Sequence, residues 1–550
     1  MEHSVLHALE LTGLIIALGG VFFVLGLVKP AGRALGLHGS HDELSHAFEA
    51  SASRWVFRGA LIGALATFLN LFVEVAEVQG KTIFSGLEPG LWLQFATHTR
   101  VGRLSLARIV LLLMTAGAAR LSASCKWWLG GVTAFGAVVL TGMVSHAAAQ
   151  PQGTLVVMPS QVAHITAAAI WVGVLVHLLA ARSVIQGATG NAGTGLISEI
   201  VRRFSPVALA MTSLLALSGL LMLFRFLGGA GAVPTSAYGL TLMVKLTVLV
   251  PAIVAGSVNY RMVRPGLAAC TTPTAGQNLV ERGALLKRFG RMLELEVTAG
   301  ILVITVAGIL GSVSPPGEAG AYRLTEPQSH ALLSPRWPAT KFVNPVTFYG
   351  AATRTMDDFR YAEFTHHWSG VMVCLLGIGW LIQGRGGRSG RWAGNFWPFL
   401  LIPFAVFVAV ASDPEVWLLR RVSLAQTLGD PQLLEHQLGA VMILVLVGFG
   451  WHDRRTLETR RPLGYALPII MILGGLLLLG HAHSTLTITE PVTNLINFQH
   501  AILGTFIIFA GTVRWLSLRD LFPRRAAQIL WPGFIIGLGL FMAFCYSEAV

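Results

Sequence analysis

Apolar runs of about 20 residues, separated by short polar breaks, recur about fourteen times along this chain. Coiled as a helix, each run is long enough to cross roughly 30 Å of hydrocarbon. A membrane β-barrel would show alternating residues instead of continuous runs. The pattern predicts helices near residues 6–28, 54–78, 101–120, 127–147, 159–182, 204–226, 238–260 and 291–313. A second set is predicted near 366–384, 394–412, 435–451, 464–483, 497–516 and 529–547. The fold class expected is therefore all-α, a polytopic transmembrane bundle of about fourteen helices in two sets. The longest break, 314–365, is polar and rich in Pro and Gly. It sets the expected organisation: an eight-helix domain over 1–316, an extracytoplasmic linker over 317–365 and a six-helix domain over 366–550. No basic region precedes the first span, Leu6 to Val28, so it is expected to remain as a helix and not be cleaved as a signal peptide.

Composition supports this class. Hydrophobic residues make up 54% and charged residues 12%, and the mean hydropathy is +0.67, which excludes a soluble domain. The net charge of +13 is explained by topology. Loops after odd-numbered helices hold about 26 of the 39 Lys and Arg, and those after even-numbered helices about 10. Basic loops stay cytoplasmic, so both termini are expected to face outward, and a nucleic-acid partner has no support. The four cysteines are far apart and form no CxxC pair, so neither a thiolate metal site nor a disulfide framework is indicated.

With that orientation His7, His146, His164, His366, His367, His436, His481, His483 and His500 all fall at the outer ends of helices. In two hairpins, His146 with His164 and His483 with His500 recur about 17 or 18 residues apart across a joint. Neutral imidazole is a common ligand of copper, zinc and haem iron, and several on one face can converge. Taken singly, such a histidine can instead be an interfacial residue comfortable at headgroup level.

The first set also carries short recognisable runs: SHAAA at Ser145–Ala149, then His164 and IWVG at Ile170–Gly173, and RRFSPVAL at Arg202–Leu209. YGLTLMVKL follows at Tyr238–Leu246, then Glu294 and Glu296 before a helix ending SPP at Ser314–Pro316. In these residues the chain resembles the CopD family of bacterial copper-resistance membrane proteins, over roughly residues 1–316. The resemblance implies a multi-pass inner-membrane protein that handles copper, often beside a periplasmic copper carrier. The chain departs from the simplest family pattern in lacking a fused carrier domain and adding about six helices. Methionine clusters suited to a copper(I) relay are absent, with Met143 and Met158 the only methionines near the first hairpin.

Glu10, Glu74, Glu77, Arg103, Arg108 and Lys245 lie within predicted spans, in their outer halves. Ionisable groups in hydrocarbon must pair or face water. Two arrangements satisfy that demand: an outward-facing polar vestibule leading to His146 and His164, or Arg–Glu pairs that fix helix packing. Inner-half polar groups are few, His177 and Asn259 being the main ones, so a site open to one side is expected.

In the second set THHWSG at Thr365–Gly370, EHQLG at Glu435–Gly439, GHAHS at Gly480–Ser484 and QHAILG at Gln499–Gly504 each place histidine near a glycine that would admit a flat group. His367, His436, His483 and His500 could supply axial ligands for haem b or three or four ligands for copper. His481 and His483 point apart on one helix, and His483 is the preferred ligand of the two. Glu435, Glu490 and Asp413 are candidate partners orienting the imidazoles. There is no Walker loop, P-type phosphorylation sequence, dinucleotide fingerprint or hydrolytic triad, and no catalytic residue is assigned. A copper-binding transport or delivery protein is thus the leading reading. A haem b protein of electron transfer or oxidation and a structural subunit of a membrane complex are the alternatives.

Overall fold

The computed structural model describes residues 2–36, 42–78, 88–123, 125–144, 154–182, 184, 191–229, 231–269, 279–316, 324–341, 355–413, 422–429, 431–452, 462–480 and 490–548. Every regular element among them is helical. The long helices of the first half are α1 Glu2–Phe22, α2 Asp42–Val78, α3 Pro89–His98, α4 Arg100–Arg120, α5 Lys126–Val144, α6 Thr154–Ala180, α7 Asn191–Leu227, α8 Ala237–Val258 and α9 Leu279–Leu310. Then come α10 Glu326–Leu333, α11 Met356–Gly384, α12 Gly387–Ala411, α13 Pro431–His452, α14 Ala466–Gly480, α15 Glu490–Leu518 and α16 Arg524–Phe544.

Among the described residues twelve helices are long and apolar enough to cross a membrane. Two shorter apolar helices, Leu433–Phe449 and Ala466–Leu479, occupy the remaining two predicted positions. The chain is an all-α, multi-pass membrane protein.

Several helices begin well before their apolar runs. α2 starts at Asp42 where the pattern predicts 54, α7 at Asn191 where it predicts 204, and α9 at Leu279 where it predicts 291. Hydropathy marks the part of a helix that suits lipid, whereas the backbone hydrogen bonds continue wherever side chains support them. In α7 the extra turns are held by Glu199, which accepts from Arg202 and Arg203 one turn on, at 2.6–2.7 Å. α11 likewise starts early, on a capping box between Thr355 and Asp358.

The chain divides into two compact units, one of Glu2–Gly229 with Leu242–Gly317, the other of Met1, Ala230–Thr241 and Glu318–Val550. In the N-terminal unit α1 is central, because its small residues let two neighbours approach its backbone. A Cβ at Gly13 would stand 2.5 Å from the Gly59 carbonyl and the Gly63 amide of α2, and one at Gly19 would stand 2.5 Å from the Gly173 Cα of α6. Association in lipid depends on such close packing, since lipid tails supply no hydrophobic drive between helices.

The second unit uses the same device. A Cβ at Gly370 of α11 would meet the Ala543 amide of α16 at 2.5 Å, and one at Gly504 of α15 would meet the Gly475 carbonyl of α14 at 2.6 Å. Two glycines expected to admit a flat ligand therefore admit neighbouring helices. Residues 324–341, expected within the linker, pack on this bundle. Leu324 and Leu332 bury against Leu495 and Phe498, and the Arg336 amide donates to the Phe544 carbonyl at 2.7 Å.

Candidate functional site

At the start of α1, residues spaced four and three apart share one helical face. That spacing stacks the rings of His3 and His7, 6.3 Å apart and 16° from parallel, and sets Glu10 beyond them. His7 Nδ1 donates to Glu10 Oε2 at 3.1 Å, which leaves the ring's lone pair on Nε2. The other carboxylate oxygen of Glu10 accepts from Arg108 of α4 at 2.9 Å, and Arg108 also reaches Thr141 Oγ1 of α5 at 3.4 Å. Glu10 and Arg108 are only 5% and 4% exposed.

Two of the six charged residues expected to line a vestibule thus form a buried cross-helix pair. Of the others, Glu74 accepts from Asn70 in its own helix at 3.2 Å, Arg103 is exposed, and the Glu77 side chain lies outside the described residues. Lys245, half-buried on α8, lies within electrostatic reach of His164.

His164 sits on α6 against α7. Ser218 gives its proton to the Leu214 carbonyl at 2.6 Å, so its oxygen accepts from His164 Nδ1 at 3.0 Å and the imidazole lone pair falls on Nε2. Gly219 makes room for the ring, since a Cβ there would stand 3.3 Å from its Cε1. Met143 and Met158 are partly buried where the end of α5 meets the start of α6. His177 is buried and donates Nε2–H to the Ile16 carbonyl at 2.9 Å, against Phe23, which makes it a packing residue between α6 and α1.

In the C-terminal unit the structure brings together a pair the sequence did not single out. His366 of α11 and His500 of α15 have ring centres 5.8 Å apart. With metal–nitrogen bonds of about 2.0–2.1 Å, two imidazoles sharing one ion have ring centres about 5–6.4 Å apart, so this separation suits a common ligand. His366 Nδ1 donates to the Ala362 carbonyl at 2.8 Å, which again leaves the ring's lone pair on Nε2. Tyr546 stacks on His366 at 3.8 Å and donates its hydroxyl to Glu548 at 2.6 Å. Nothing in the sequence signals this residue; it comes from the turn after α16, close in space and 180 residues away.

His367, expected as a ligand, is otherwise engaged. Its Nδ1 accepts from the Ala339 amide and its Nε2 donates to the Tyr546 carbonyl, both at 3.0 Å, so the ring pins residues 324–341 and the C-terminal turn to α11. Both ring nitrogens are consumed, and neither is available to a metal in this arrangement. His436 of α13 fits a ligand's role better: Nδ1 donates to the buried Asp413 carboxylate at 2.6 Å, the pairing that orients metal-binding imidazoles. His146, His481 and His483 lie outside the described residues, and so does the Glu490 side chain. Glu435 is buried on α13. Among the described residues no group of three or more His, Cys, Asp or Glu side chains is placed to hold a metal ion.

Residues 3–157 match the family model of the copper resistance protein D-like N-terminal domain, and residues 198–310 match that of copper resistance protein D. Among curated proteins, the copper transport protein CutJ of Bacillus subtilis (strain 168) is 24% identical over 320 residues, 57% of this chain and 52% of that protein. The chain thus spans about half the length of the curated relative it matches. No solved structure matches it. These likenesses concern copper and lend the haem b alternative no support. Over residues 3–157 and 198–310 the chain is therefore similar to the copper resistance protein D family.

Proposed function

We propose that this chain is a bacterial inner-membrane protein of copper transport, delivery or resistance, with copper as cargo held by imidazoles at one membrane face. The observation that carries the reading is the pair of consecutive copper-resistance matches spanning the first half of the chain. Side-chain geometry in each unit supports the reading. In the N-terminal unit, His7 and His164 each expose Nε2 as the lone-pair nitrogen, with Nδ1 tied to Glu10 and Ser218. In the C-terminal unit, His366 and His500 stand at a ligand-sharing distance, with His436 oriented by Asp413 as a further contact.

Thiolate and methionine sites are not needed, because imidazole binds both copper oxidation states. The basic-loop asymmetry supports an orientation with both termini outside, which puts the cargo within reach of a periplasmic copper carrier.

The test is copper titration of the full chain in detergent against a competing chelator, comparing wild type with His7→Ala/His164→Ala and His366→Ala/His500→Ala. Each double variant is expected to lose at least tenfold in affinity, and cells expressing either are expected to change copper accumulation relative to wild type. Affinity unchanged in both variants overturns the imidazole sites. Reporter fusions at the two termini check orientation, and activity of either on the cytoplasmic side overturns it.

A further inference from the structure

One buried carboxyl plays no part in the copper reading. Glu296 of α9 is only 3% exposed, and residues 297–310 beyond it carry no ionisable side chain. At about 1.5 Å per residue it stands about 21 Å along α9 from the end at Leu310, where a Cβ at Gly311 would meet the His7 ring at 2.9 Å. It is therefore separate from that imidazole.

Its surroundings are apolar. Ala252 of α8, Val263 of the π-helical turn Asn259–Val263, and Leu293 and Val297 of α9 bury in one core. Oε2 of Glu296 lies against the α8 backbone, where a Cβ at Gly256 would stand 3.6 Å away. Oε1 accepts from the Asn259 side-chain amide, and among the described residues Asn259 is the one polar partner of this carboxyl. The Asn259 carbonyl oxygen is itself buried with no donor.

The charged groups on the elements packed against α9 are engaged elsewhere or exposed. On α9 itself Glu294 pairs with Arg182, while Lys287, Arg288 and Arg291 are exposed. Arg264, just past the π turn, lies over the Tyr260 ring at 5.2 Å, and Arg261 is exposed. His177 of α6 donates to the Ile16 carbonyl, and Glu10 of α1 is held by His7 and Arg108. Lys245 of α8, within electrostatic reach of His164, is about 20 Å along its helix from the end at Val258.

An ionised carboxylate in this place would be a buried charge without compensation, which is strongly disfavoured. A carboxylic acid is neutral and also has an O–H to give. Paired with a primary amide, it accepts from the N–H and donates to the carbonyl, which supplies the donor that Asn259 Oδ1 lacks. π-helical turns are rare and frequently sit at functional sites.

We propose that Glu296 is a proton-binding site, a neutral carboxylic acid doubly hydrogen-bonded to the Asn259 side chain, which releases its proton when α8 parts from α9 and admits water. The ligand is a proton, and the site stands whether or not copper is the cargo.

The test is infrared spectroscopy of the full chain in detergent, in the carbonyl region, where a protonated carboxyl absorbs apart from a carboxylate. Wild type at neutral pH is expected to show an acid band that is lost in Glu296→Gln and shifts in frequency in Asn259→Ala, which removes the amide partner. Should Glu296→Gln fail to fold, the shift in Asn259→Ala carries the assignment. The unfolding midpoint is followed in parallel as pH rises from about 6 to about 8; the native state holds a proton that the unfolded chain releases, so wild type is expected to lose stability relative to Glu296→Gln. An infrared spectrum with no acid band that responds to either substitution overturns the proposal. So does a midpoint difference between wild type and Glu296→Gln that stays constant with pH.

Discussion

Replacing Arg108 with Met separates the two arrangements open to the buried charges of the N-terminal unit. At 2.9 Å, a unit charge pair is worth about 6 kcal/mol of Coulomb energy at an effective dielectric of about 20, and about 1.4 kcal/mol in water. Neither figure is a net stability, because both groups lose hydration when the helices pack. Removing one partner of a buried pair leaves the other charged and alone, which costs about 3–5 kcal/mol. In a water-filled vestibule the same change would cost about 0–1 kcal/mol. The assay is denaturant unfolding of the full chain in detergent for Arg108→Met, Glu10→Gln and the double variant. The expected result is a loss of about 3 kcal/mol or more for Arg108→Met, partly restored in the double variant, giving a coupling of about 2 kcal/mol. A loss under about 1 kcal/mol with no coupling would refute the packed pair and restore the vestibule.

Gly173→Val and Gly370→Val each push a branched side chain into a backbone already at contact distance, and are expected to cost about 1–3 kcal/mol or more, read as a lower unfolding midpoint. His367→Phe removes two hydrogen bonds to backbone groups and should destabilise the C-terminal unit by about 1–3 kcal/mol while leaving copper stoichiometry unchanged; loss of one copper would make His367 a ligand instead. Asp413→Asn is expected to weaken copper binding through His436 about 10- to 100-fold, and an unchanged affinity in competition titration would remove His436 from the copper path.

The helices were legible because each needs about 20 apolar residues to satisfy the bilayer, a demand written locally along the chain. Their extra turns were less so: the start of α2 at Asp42 lies among charged residues and that of α7 at Asn191 among glycines and small polar residues, both of which hydropathy reads as loop. For the site, residue type was readable but partnership was not. His7, Glu10 and Arg108 were each identifiable as functional or charged positions, yet no spacing rule joins Glu10 to a residue 98 positions away. His366 and His367 are adjacent in sequence, and a helix turns them about 100° apart. One therefore faces His500 and Tyr546, while the other is spent on the Ala339 amide and the Tyr546 carbonyl.

The sequence by itself determined the class of solvent, the helices and the kinship of the first half, because burial in lipid and family motifs are both recorded in contiguous residues. Only the tertiary structure decided which ionisable side chains meet. Those meetings depend on how helices distant in sequence approach and rotate about one another, governed here by glycines at Gly13, Gly19, Gly370 and Gly504 whose missing side chains let the backbones close to contact.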